Sequence, residues 1–153
     1  MIEPGQMAPD FTLPVTGGGT LTLSALRPQR VVLFFYPKDN TPACTLEARD
    51  FSALADDFAK AGAQILGISK DSAKVHEGFC ARQDLAIRLL SDKDSATCEA
   101  YGAWGEKKLY GKVYQGILRS TFLIGGDGRV EKVWPQVSAK GHAAEVLAAL
   151  RAL

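Results

Sequence analysis

The chain has 153 residues, enough for one domain with a single hydrophobic core, and its composition (46% hydrophobic, 23% charged) is that of an ordinary globular protein. A near balance of 18 basic and 17 acidic residues, net charge +1, excludes the electrostatic footprint of a nucleic-acid or anionic-membrane binder. Three cysteines (Cys44, Cys80 and Cys98) with no CxxC among them exclude a structural disulfide framework and the commonest zinc and dithiol signatures.

In chain order, "PGQMAPDFTLPVTGGGTLTLSAL" alternates apolar residues with turn formers. It predicts two short strands joined near Gly17–Gly19, with Ser24 capping one helical turn. "RVVLFFYP" is a continuous apolar run rich in β-branched and aromatic residues, as in a central strand covered on both faces. Its core, Val31 to Tyr36, is too short to span a bilayer, and the start "MIEPGQMAPDF" has no signal-peptide pattern, so the expected location is the cytosol. Phe51, Leu54, Ala55 and Phe58 follow at helical spacing, with Gly62 as the stop.

"AQILGIS" predicts the next strand, and "KDS" caps a helix carrying Val75 and Phe79 that ends before "AIRLLSD". A short helix fits Ser95 to Tyr101. Residues 102–116, with four glycines and no clear period, read as a long loop. Its aromatic residues Trp104, Tyr110 and Tyr114 fit the cover of a small core better than a partner surface. "ILRSTFLI", "GGDG" and "RVEKVWP" predict a β-hairpin. The last helix places Ala143, Val146, Leu147, Leu150 and Leu153 on one face. Strands and helices alternate and an antiparallel hairpin follows, which predicts an α/β fold: a central mixed β-sheet flanked by helices, with an N-terminal β-hairpin.

The stretch "FFYPKDNTPACTLEARDF" brings one thiol to the C-terminal end of the central strand. Thr41 is a good N-cap, Pro42 suits the first helical position, and Cys44 falls third. Unpaired backbone N–H groups and the positive end of the helix dipole both favour a thiolate there, and the thiolate is the reactive form. Two readings stand side by side: a reactive thiol, or a small apolar residue packed under the helix.

"YPKDNTPACTLEARDF" resembles the peroxidatic-cysteine segment of the peroxiredoxins, with Pro37, Thr41 and Cys44 at the motif positions. "YPKDNTPxCTxE" is similar to the bacterioferritin comigratory protein, or peroxiredoxin Q, branch. The likeness extends through "PGQMAPDFTLP", "LLSDKD", "YGAWGEKKLYGKVYQGILRSTFLI" and "GGDGRV". It implies a thioredoxin-like fold over residues 1–153 and a thiol-dependent peroxidase of hydrogen peroxide and organic hydroperoxides. By the resemblance, Cys44 is the nucleophile that becomes a sulfenic acid, and Thr41 hydrogen-bonds the peroxide. Pro37 shields the sulfur, and Arg119, on a late strand, supplies charge and orients the substrate. Glu47, at the family's "TxE" position, organises the site; a first-turn acid serving the helix dipole is the plainer alternative. No cofactor or metal is implied, because sulfur carries the redox chemistry. The implied reductant is thioredoxin, with glutaredoxin or glutathione as alternatives, and the implied state is a monomer.

Many members of this branch have a resolving cysteine five residues after the first; here that position is Arg49. Another subset carries it in the next helix, and Cys80, in "KVHEGFCARQD", fits that arrangement. The resemblance thus implies an intramolecular Cys44–Cys80 disulfide. Such a bond needs Cα atoms within roughly 4.4–6.8 Å, so local unwinding of either helix is expected to accompany it. The alternatives are a one-cysteine peroxidase resolved by an external thiol, and a non-catalytic thioredoxin-fold binding module. Thr41, Cys44 and Arg119 are all present, which speaks against the second. Cys98 matches no motif position and reads as a buried bystander, ahead of an alternative resolver. His76 and Cys80 have ligand-compatible spacing, but a zinc site would need distant partners such as Cys98 or His142. His76 is expected to be a solvent-exposed helical histidine.

Overall fold

Residue alternation along one apolar run sets the architecture. In the computed structural model, which describes all 153 residues, the N-terminal strands Thr12–Pro14 (β1) and Thr20–Thr22 (β2) form a hairpin ahead of the strand Arg30–Phe35 (β3). Val31, Leu33 and Phe35 of β3 point into one core, and Val32 and Phe34 into the other. Both faces of this strand are therefore covered.

Two helices follow, Pro42–Ala53 (α1) and Ala55–Lys60 (α2), then Ala63–Ser69 (β4), Ala73–Gln83 (α3), Arg88–Ser91 (β5) and Ala96–Ala100 (α4). The chain continues through Trp104–Leu109 (β6), Lys112–Ile117 (β7), Ser120–Ile124 (β8), Val130–Trp134 (β9) and His142–Arg151 (α5). The main sheet has the order β5-β4-β3-β8-β9, with β3 at its centre. β3 pairs parallel with β4 and antiparallel with β8, so the sheet is mixed as the sequence predicts. Apolar residues of α1, α2, α3 and α5 fill one core. The N-terminal hairpin and the α4 region fill the other.

One glycine is required by packing. Gly67 lies opposite Phe34, and a Cβ there would come within 2.7 Å of the Phe34 ring. Its absence lets Phe34 stack on Phe51 of α1 at 4.6 Å, which fixes α1 on the sheet.

Outside the site, the fold departs from the sequence reading in four places. Residues 102–116 are not a loop: they contain β6 and β7, joined by a two-residue turn in which Tyr110 and Gly111 both have positive φ. The hairpin stands off the body, so its strands lack the apolar alternation that marks a half-buried strand. Tyr110 is 95% exposed, and Leu109, Val113 and Tyr114 are also exposed, so Tyr110 and Tyr114 cover no core; only Trp104 packs inward.

The helical pattern from Phe51 to Phe58 breaks at Leu54. Seven residues of straight helix would carry Phe58 about 10 Å along the axis. The break instead brings the two buried rings to 5.9 Å. Ser24 does not cap its turn; Asp10 accepts both the Ser24 N–H (2.9 Å) and its hydroxyl (2.7 Å). Leu153 lies beyond the end of α5 with no element to cover it, and is exposed.

Candidate active site

The turn from β3 to α1 builds the site. Thr41 occupies the N-cap with extended backbone, and Pro42 opens the helix, as the sequence predicts. The Thr41 hydroxyl does not cap, however: it turns back and donates to the Lys38 carbonyl at 2.7 Å. The amides of Ala43 and Cys44 are left without a hydrogen-bond partner. They form a small positive cradle beside the sulfur, suited to a developing anion. Cys44 itself is buried, with its thiol free.

Arg119 immediately precedes β8, an inner strand of the sheet. Its guanidinium spans two partners: Nη2 donates to Cys44 Sγ at 3.2 Å, and Nη1 donates to Glu47 Oε1 at 2.7 Å. Burial works against its charge, but Glu47 and the Cys44 sulfur outweigh it and hold the guanidinium above its ordinary range. Glu47 is not in the first turn of α1; it lies one turn past Cys44, fully buried. It therefore cannot serve as a first-turn dipole acid. Burial pushes its carboxyl up to about 7, against the pull of Arg119, with Asp50 adding to the rise. Its second oxygen, Oε2, is buried without a partner. Pro37 lies half-buried at the start of the same turn.

Cys80 is half-buried on α3, against the edge of the core that contains Cys44, and its thiol is free. Burial first, then the charges of Asp39 and Glu77, push that thiol up to about 11. Arg49, at the alternative resolver position, is exposed. Cys98 is fully buried in the other core, where burial and then Asp92 push the thiol up. The sheet thus separates it from Cys44.

His76 is not exposed as the sequence suggests. It is fully buried, with Nδ1 2.6 Å from Asp39 Oδ2 and Nε2 2.9 Å from the Leu90 carbonyl oxygen. The proposed zinc partners do not gather around it: Cys98 lies in the opposite core, and His142 bonds Thr121 at 2.8 Å. Asp39, Asp71 and His76 are close enough to surround an ion, but both Asp39 oxygens, both His76 ring nitrogens and Asp71 Oδ2 are already engaged with one another, Tyr36, Ser69, Leu90 or the Asp39 amide. Sequence reading also missed Lys107 on β6, whose Nζ donates to the Ile117 carbonyl at 2.9 Å. Burial, then the Arg119 charge, lower its ammonium, while the Cys44 sulfur opposes them. Reading the hairpin as a loop hid it.

Residues 4–133 match the model of the AhpC/TSA family. Peroxiredoxin Bcp of Xanthomonas campestris is 50% identical over 143 residues, covering 94% of this chain and 89% of its own. A solved structure of Xanthomonas campestris peroxiredoxin Q has a TM-score of 0.88 at 50% identity, covering 93% and 90% of the two chains. A mutant of Xylella fastidiosa PrxQ has a TM-score of 0.93 at 40% identity, covering 99% and 97%. Other Xanthomonas campestris structures address alkyl peroxide reduction through trapped intermediate and ligand complexes, or are serine mutants of two cysteines 36 positions apart. Fold and relatives together define a thioredoxin-like, thiol-dependent peroxidase. The chain belongs to the AhpC/TSA family, in the Bcp or peroxiredoxin Q branch of the peroxiredoxins. No helix is long and apolar enough to cross a membrane.

Proposed function

We propose that Cys44 is the peroxidatic nucleophile and Cys80 its resolving partner. The observation that carries the first role is the Arg119 Nη2 contact with Cys44 Sγ at 3.2 Å, beside two unpaired first-turn amides. A guanidinium at that distance stabilises negative charge on sulfur and remains in place when a peroxide oxygen enters. The thiolate attacks one oxygen in line, the O–O bond breaks, and the other oxygen leaves as alcohol or water after taking a proton. Thr41 spends its own proton on Lys38, so its hydroxyl oxygen is an acceptor for the peroxide O–H. The Ala43 and Cys44 amides receive the developing charge, Pro37 limits water at the sulfur, and Glu47 holds the Arg119 fork in orientation.

The sulfenic acid on Cys44 is then attacked by Cys80. The serine mutants of the Xanthomonas campestris protein have the same separation, 36 positions, as Cys44 and Cys80. Work on that protein with alkyl peroxides supports organic hydroperoxides as substrates beside hydrogen peroxide. Thioredoxin, or a glutathione-based thiol, returns the disulfide to two thiols, with the chain acting as a monomer and needing no cofactor. Peroxide-dependent NADPH oxidation coupled through thioredoxin and its reductase tests the proposal. Activity should be lost in Cys44→Ser, and Cys80→Ser should retain one reducing turnover but lose thioredoxin-supported cycling. Full activity in Cys44→Ser would overturn the assignment.

A further inference from the structure

Beside the peroxide site lies a buried polar cluster that the chemistry above does not use. Asp39 and His76 are both fully inside the protein. Asp39 Oδ1 accepts the Tyr36 hydroxyl at 2.6 Å, and Oδ2 faces His76 Nδ1 at 2.6 Å. On the far side of the ring, Nε2 meets the Leu90 carbonyl oxygen at 2.9 Å, a group that can only accept. The ring is thus held at both nitrogens, by the Leu90 carbonyl on one side and by Asp39 on the other, with the Tyr36 hydroxyl 3.4 Å from Nδ1. The Asp39 amide donates to Asp71 Oδ2 at 2.9 Å, and Asp71 in turn accepts the Ser69 hydroxyl at 2.7 Å. At the surface, Arg82 Nη2 donates to Asn40 Oδ1 at 2.8 Å.

These bonds share one topology. Residues 39 and 40 directly precede the Thr41 cap of the Cys44 helix, and His76 and Arg82 lie on α3 on either side of Cys80. The Cys44 turn is therefore pinned to α3 before and after the second thiol. In this arrangement Cys44 is enclosed in the core, and Cys80 is held against its edge as an unbonded thiol.

We propose that the Asp39–His76 pair is a latch: it holds the Cys44 turn and α3 in the peroxide-reducing arrangement, and its opening controls how often Cys80 reaches oxidised Cys44. The inference rests on reading Cys80 as the resolver. Asp39 and His76 act as positioning residues and touch neither peroxide nor sulfur. In the step they gate, the Cys80 sulfur attacks the Cys44 sulfenic sulfur, the S–S bond forms, and the S–O bond breaks. The oxygen leaves as water with the Cys80 proton; Cys80 is oxidised and the sulfenic sulfur reduced. Opening also removes the burial and the Asp39 charge that raise the Cys80 thiol. The thiol then moves back toward its ordinary range and its thiolate fraction rises, with Glu77 on the same helix still opposing.

The test is a single turnover: reduced protein receives one equivalent of peroxide, is quenched over time, and is analysed by mass spectrometry for sulfenic acid (trapped with dimedone), Cys44–Cys80 disulfide and sulfinic acid. Asp39→Asn and His76→Gln should form sulfenic acid at the wild-type rate and convert it to disulfide at least about tenfold faster. With excess peroxide, the ratio of sulfinic acid to disulfide should fall in parallel, a partition that a general loss of stability would not move. Arg82→Ala, whose contact is exposed, should shift the partition the same way by less, and it carries the test if the buried variants do not fold. Wild-type resolution rates in the folded variants overturn the latch alone. A wild type that forms no Cys44–Cys80 disulfide overturns the resolver reading, and the latch with it.

Discussion

Replacing Glu47 with glutamine should flatten a pH dependence of stability that the site imposes on the whole fold. The Glu47 carboxyl is completely buried, receives one hydrogen bond from Arg119, and has an orphaned second oxygen. Its pKa rises from the ordinary 4.5 to about 7, chiefly through burial. Between these values the native protein keeps a proton that the unfolded chain releases. The stabilisation from this group is therefore complete below 4.5 and is lost as the pH climbs through about 7. The span between the two pKa values corresponds to about 3 kcal/mol. Glutamine retains an oxygen for Arg119 and has no proton to lose. Urea unfolding of reduced wild type and Glu47→Gln at pH 4.5, 6 and 8 should show the variant gaining about 3 kcal/mol on the wild type across that range. Asp10 resists a simple burial effect: the Ser24 hydrogen bonds outweigh desolvation and lower its pKa, giving a slope of opposite sign. That slope is common to both proteins and cancels in the difference. Parallel curves would refute the placement of a buried, proton-holding carboxyl behind Arg119.

Three further outcomes follow from the geometry. Arg119→Met removes the donor to sulfur and should slow the reaction of reduced protein with peroxide by about 10²–10³-fold in stopped flow, while Arg119→Lys, which cannot span Sγ and Glu47 at once, should recover only part of it; an unchanged rate in the methionine variant contradicts the assignment. Gly67→Ala drives a methyl into the Phe34 ring and should lower stability by about 1–3 kcal/mol in chemical denaturation, with no loss expected if the ring had room to move. Cys98→Ala, in the opposite core, should leave the peroxide rate and disulfide pattern unchanged; loss of the disulfide in that variant would make Cys98 a participant.

Much of the fold was legible because its central elements carry strong local signals. The run "RVVLFFYP", β-branched, aromatic and apolar throughout, fits a strand covered on both faces, as β3 is, and the predicted strand "AQILGIS" coincides with β4. The β6–β7 hairpin was not legible, since it projects from the body and no buried face imposes a two-residue period. In the site, the Thr41–Pro42 helix start and the place of Cys44 in its first turn follow from capping rules, while the role of Cys44 and the choice of Arg119 come from the motif. The Thr41 hydroxyl turning from the helix to Lys38 was not evident, because a cap residue's side-chain direction depends on the preceding turn. The Asp39–His76 pair was hidden for a different reason. A histidine four residues before Cys80 is visible in the sequence, but its carboxylate partner lies 37 positions earlier and only the fold joins them.

The most direct test of the whole account is to map the cysteines of the reduced protein after one equivalent of peroxide, with Cys44→Ser, Cys80→Ser and Cys98→Ser in parallel. An intramolecular Cys44–Cys80 disulfide is expected in the wild type and in Cys98→Ser, none in Cys44→Ser, and sulfenic or sulfinic acid on Cys44 in Cys80→Ser. A Cys44 that remains an unmodified thiol while peroxide persists would contradict it.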